Sequence, residues 1–106
     1  MPSIEQIEAL LEETPGDTFL LYALAMELDN GEQHDRSLDI FAELMAGEPP
    51  HVPAFFMSAQ QLVRLDRVNE ARTNLRHGIE QARAQNDSHA AAEMSDFLSS
   101  LGELGE

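Results

Sequence analysis

Histidines are the side chains of this sequence best suited to metal or proton chemistry, and their spacing limits what they can do. His34, His51, His77 and His89 are dispersed, and no two stand four residues apart as paired ligands on one helical face would. His34 alone has close carboxylate neighbours, Glu32, Asp35 and Asp39. A metal site would be sought there first, although a solvated loop histidine beside acids is the simpler reading. There is no cysteine, which removes disulfides, thiolate ligands and thiol nucleophiles together. No glycine-rich phosphate loop is present, and no serine sits in a nucleophile-elbow setting. The reading is therefore of a protein that is not an enzyme, with no catalytic, metal or cofactor residues assigned.

Charge is the other chemical resource. Twenty acidic residues face six basic ones, and all six are arginine. Residues 1–50 carry twelve acids and only Arg36, a balance of −11, whereas residues 51–87 are close to neutral. Such a field repels nucleic acid and anionic membrane and favours a basic partner. Arg64, Arg67, Arg72, Arg76 and Arg83 form a basic cluster. It would contact an acidic partner or the acidic half of a second copy, or simply pair with Glu70, Glu80 and Asp66 at little energetic gain. No stretch approaches the roughly 18 apolar residues of a membrane span. Met1-Pro2-Ser3 leads directly into an acidic amphipathic segment unlike a secretory leader, so a cytoplasmic protein is expected.

Short helices must position these groups. Ser3 suits an N-cap for a helix reaching Glu13, with Ile4, Ile7, Leu10 and Leu11 as its apolar face and Glu5, Glu8, Glu12 and Glu13 as its solvated one. Asp17 can cap a second helix over about 18–29, where Leu21, Leu24, Ala25 and Leu28 recur at helical spacing. Asp29-Asn30-Gly31 reads as the turn that ends it. The third helix spans about 35–46, closed by Gly47 and Pro49-Pro50. Pro53 opens a fourth over about 52–64, and Val68, Ala71, Leu75, Ile79 and Ala82 mark a fifth reaching about Arg83. Asn86-Asp87-Ser88 breaks the chain before a last helix to about Leu101, and Gly102 and Gly105 loosen the end. The expectation is a single all-α domain of six helices, either a plain bundle or a solenoid.

The period bears on that choice. Pro15 and Pro49 lie 34 residues apart, and Ile7, Phe41 and Leu75 step by the same interval. Leu21 and Phe55, Ala25 and Ala59, Leu28 and Leu62, and Ser37 and Ala71 also repeat at 34. In residue class and register the chain resembles the tetratricopeptide repeat family. Leu44, Ser58 and Arg83 depart from the family's usual residues. The resemblance implies antiparallel helix-turn-helix repeats in a short right-handed α-solenoid. Its parts would be an N-terminal half-repeat (1–16), two repeats (17–50 and 51–84) and a C-terminal capping helix with a frayed tail (85–106).

The resemblance also implies a function: an adaptor or scaffold that binds a peptide or amphipathic helix of another protein in a concave groove. The matching groove positions are Phe19, Tyr22, Met26 and Asn30, then Phe56, Gln60 and Arg64. The carboxylate clamp of chaperone-tail binders is not matched, since Tyr22, Met26 and Met57 stand at its positions and the chain has no lysine. Two alternatives stay open. The capping helix, through Ala90, Met94 and Phe97, fills the groove itself, or exposed repeat ends pair in a homodimer.

Overall fold

Side-chain caps open three of the helices, and tight turns precede two others. In the computed structural model, which describes residues 2–102, six α-helices and no strand are found among the described residues. They are α1 (Ile4–Glu13), α2 (Thr18–Asn30), α3 (His34–Met45), α4 (Val52–Arg64), α5 (Val68–Ala84) and α6 (Ser88–Ser100). Ser3 caps α1 in a reciprocal box: its Oγ accepts from the Gln6 amide, and the Ser3 amide donates to Gln6 Oε1. Asp17 accepts from the Leu20 amide to start α2, and Asp87 accepts from the Ala90 amide to start α6.

Helices α3 and α5 start differently. Their N-cap residues, Gln33 and Arg67, make no side-chain cap bond. Each instead leaves a tight turn in which one residue is left-handed, Glu32 and Asp66, both at φ 60°. The Gln33 amide then donates to Leu28 O at 2.8 Å, and the Arg67 amide donates to Leu62 O at 2.8 Å. This is the six-to-one bond of a Schellman closure. A third copy joins α5 to α6, with Asn86 at φ 61° and the Asp87 amide donating to Ala82 O. The expected turn at Asp29-Asn30-Gly31 is therefore displaced. Asp29 and Asn30 are helical, Gly31 has φ −87°, and the left-handed residue is Glu32. Likewise α3 ends at Met45 with Ala46 as its C-cap, and Gly47 follows. The tail expected to loosen at Gly105 lies outside the described residues.

The chain divides into two units, Met1–His51 and Val52–Glu106. In the first, α2 packs against both α1 and α3. Ile7, Leu24 and Leu28 form a buried cluster, bordered by Ile4, Leu11, Leu20, Ala23 and Ile40. Ser37 and Ala25 are fully buried where α3 meets α2, and Ser37 Oγ donates to Ala25 O at 2.6 Å. Small residues at this point allow the close approach. One expectation fails: Leu10, read as part of the buried face of α1, is 47% exposed. Ile4, Ile7 and Leu11 are enough to fill the contact with α2, and Leu10 lies to one side of their stripe.

In the second unit α5 packs against α4 and α6. Phe55, Ala59 and Leu62 of α4 and Ala71, Leu75, Gly78 and Ala82 of α5 are buried, and Met94 of α6 is wholly buried. Ser58 is buried and accepts from Asn74 Nδ2 at 3.0 Å, so the α4–α5 contact carries a polar bond.

The internal layouts of the two units share a register. Helix α4 starts and ends 34 residues after α2 (18 to 52, 30 to 64), and α5 starts 34 after α3 (34 to 68). The left-handed turn residues keep the same interval (32 to 66). Among the described residues no helix is long and apolar enough to cross a membrane.

Candidate protein-binding surface

Phe19, Tyr22, Met26 and Asn30 recur at three- and four-residue steps, so they occupy one side of α2. The Asp17 cap holds the helix start that carries Phe19. Phe19 is 76% exposed, and Leu10, at 47%, is the other exposed large apolar side chain among the described residues. Asn30 is exposed, and Tyr22 and Met26 are half-buried.

Tyr22 is fixed from behind. Its ring meets Phe41 of α3 edge-on at a centroid distance of 6.0 Å, and His51 at 5.2 Å with the planes 71° apart. Burial raises the Tyr22 hydroxyl pKa above its ordinary 10.0 and lowers that of His51 below 6.5. Both shifts favour the neutral form of the group. The side of α2 therefore combines a rigid tyrosine, an adaptable methionine and a phenylalanine open to water.

In the second unit Phe56 and Gln60 are half-buried and Arg64 is exposed. The Phe56 ring faces Phe97 of α6, with centroids 5.6 Å apart and planes tilted by 57°. Met94 turns into the core instead, beside Phe55 and Gly78. Thus α6 covers Phe56 through Phe97, while its methionine serves packing. Gln60 Nε2 lies 3.9 Å from Met57 Sδ.

The arginine cluster separates into different roles. Arg67 donates twice to Glu70, at 2.6 and 2.8 Å, and this pairing holds the Glu70 carboxyl below its usual range. Arg72 is not a surface residue as its spacing from Arg76 suggested. It is 6% exposed, donates through Nη1 to Asn69 Oδ1 at 2.7 Å, and donates through Nη2 to Leu101 O just past α6. Arg76 and Arg83 remain exposed on α5.

His34 pairs with a carboxylate other than those nearest in sequence. Its Nδ1 lies 2.9 Å from Asp29 Oδ1, across the turn from α2. Glu32, Asp35 and Asp39 are exposed, and among the described residues no group of three or more histidine or acidic side chains is gathered as for a metal ion. The tight Glu32 turn brings residues five apart together, a juxtaposition that helical spacing does not anticipate.

Comparison of the chain with protein-family models, with curated proteins and with solved structures finds no match.

Proposed function

We propose that this chain is a non-catalytic protein-interaction module, and that its first unit takes a peptide or amphipathic helix of a partner on the side of α2 bearing Phe19, Tyr22, Met26 and Asn30. The observation that carries this reading is the exposure of Phe19, 76%, beside a tyrosine already ordered by Phe41 and His51. An aromatic ring held in water offers a large area to bury, and a pre-ordered neighbour loses little entropy on binding. Met26 adds a side chain that adapts to different apolar partners. The tetratricopeptide-type repeat is proposed with it, supported by the 34-residue register shared by helix bounds and turns (18 to 52, 34 to 68). The second unit contributes less to this reading, because Phe97 already meets Phe56.

Phe19 is the residue to test, since its removal disturbs no core contact, whereas Tyr22 supports Phe41 and His51. Proteins retained from a native lysate by the wild-type chain would be identified and one of them purified. Its affinity for wild type, Phe19→Ala and Met26→Ala would then be measured by calorimetry. The expected result is a loss of about tenfold or more for Phe19→Ala, an anchor-sized effect, with an unchanged thermal midpoint. Equal affinity for all three proteins would overturn the α2 surface.

A further inference from the structure

A separate surface lies on α1. Its Ile4, Ile7 and Leu11 serve the first unit's core, yet Leu10 is 47% exposed. Pro2, Gln6, Ala9 and Glu13 join Leu10 around an open, largely apolar depression. Gln6, Ala9, Leu10 and Glu13 follow i, i+3, i+4 and i+7, so they make one continuous side of the helix. Glu5, Glu8 and Glu12 follow i, i+3 and i+7 on an adjoining flank, all of them exposed. No basic residue occurs in α1, and Arg36, the one arginine of residues 1–50, reaches Glu8 at 3.4 Å.

We infer that this side of α1 docks a basic amphipathic helix from a partner protein. Apolar side chains of that helix would settle over Leu10 and into the space beside Ala9, while lysine or arginine at its edge meets Glu5, Glu12 and Glu13. An apolar strip edged by charge of one sign selects a partner with an apolar strip edged by the other. A second copy of the same face is disfavoured by the same charges, because a twofold pairing would set these glutamates against their equivalents. The ten residues of α1 span about 15 Å, a fit for roughly three turns of a facing helix. This surface is independent of the α2 side described above, and either can fail without the other.

The probes are synthetic peptides of about 16 residues, roughly four helical turns. One has a leucine stripe edged by arginine, one has glutamate in place of that arginine, and one is a scramble of the basic peptide without the stripe. Amide shifts of the isotope-labelled full chain are followed by NMR as each is added. The basic amphipathic peptide is expected to give saturable shifts over residues 5–13, and the other two are not. Leu10→Ser should weaken binding about tenfold, and Glu5→Gln/Glu12→Gln should weaken it and flatten its salt dependence. Phe19→Ala should leave it unchanged. Equal binding of the scramble, no effect of Leu10→Ser, or shifts confined to residues 18–30 would each overturn the proposal. So would concentration-dependent α1 shifts without peptide, which would give the face to a second copy.

Discussion

Gly78 of α5 and Phe55 of α4 stand so close that a Cβ on Gly78 would lie 2.6 Å from the Phe55 Cβ. The same atom would lie 2.6 Å from Met94 Sδ. The methionine can swing aside, but the Phe55 Cβ is tied to the α4 backbone and cannot. Gly78→Ala should therefore destabilise the chain by about 1–3 kcal/mol through overpacking. Set against the roughly 1 kcal/mol that alanine contributes over glycine as a helix former, this leaves a net loss of up to about 2 kcal/mol. Urea unfolding followed by circular dichroism measures it, and a net gain in stability would mean that α4 and α5 separate easily.

The turn between α2 and α3 makes a second, two-part prediction. Glu32 is left-handed at φ 60°, whereas its neighbour Gly31 is not, and a Cβ on Gly31 would meet nothing closer than Glu27 O at 3.5 Å. Glu32→Gly should stabilise by about 0.5–1 kcal/mol by relieving a conformation that side chains resist. Gly31→Ala should be neutral or mildly stabilising, since it restricts the unfolded chain at no native cost. The thermal midpoints of the two variants decide this, and a large loss for Gly31→Ala would contradict the observed backbone.

Arg72 should matter for stability out of proportion to its place in a charged cluster. It is buried, ties α5 to the end of α6 through Leu101 O, and is held within α5 by Asn69. Arg72→Ala leaves a buried carbonyl without its charged donor and should cost about 1.5–3 kcal/mol. Arg76→Ala, at an exposed site, should change stability by less than about 0.5 kcal/mol. Hydrogen exchange should quicken in the last turn of α6 for the first variant only.

His51 makes stability depend on pH in a definite direction. Burial lowers its folded pKa below 6.5, so the unfolded chain binds a proton more readily than the folded one. Its contribution is fully present above the unfolded value and is lost as pH falls from 6.5 through the lower folded pKa. His51→Phe keeps an aromatic ring against Tyr22 and removes the titration. Between about pH 7.5 and about pH 5, the wild-type thermal midpoint should fall further than that of the variant. Parallel falls would show that the His51 ring is not coupled to folding.

Much of the secondary structure was legible because its causes are local. Ser3 and Asp17 cap the helices expected of them, and Asp87 caps α6 within the break read at Asn86-Asp87-Ser88, since an N-cap needs only a side-chain oxygen and amides two or three residues on. The buried stripes through Leu24, Ala25 and Leu28 and through Ala71, Leu75 and Ala82 follow from helical spacing alone. Turn chemistry was less legible. Asp29-Asn30-Gly31 has the right residues, yet the closure falls at Glu32, where the bond from Gln33 to Leu28 sets the left-handed position.

The candidate surfaces divide in the same way. That Phe19, Tyr22, Met26 and Asn30 share a side of α2 follows from their spacing, as does the concentration of acid in residues 1–50. Only the tertiary structure decided that Phe19 and Leu10 are exposed while Tyr22 leans on Phe41 and His51. It likewise decided that Phe97 covers Phe56 and that Arg72 is buried. Periodicity states which residues share a face of a helix. Which part of that face is covered depends on the neighbouring helix, whose placement is set by packing among residues distant in sequence.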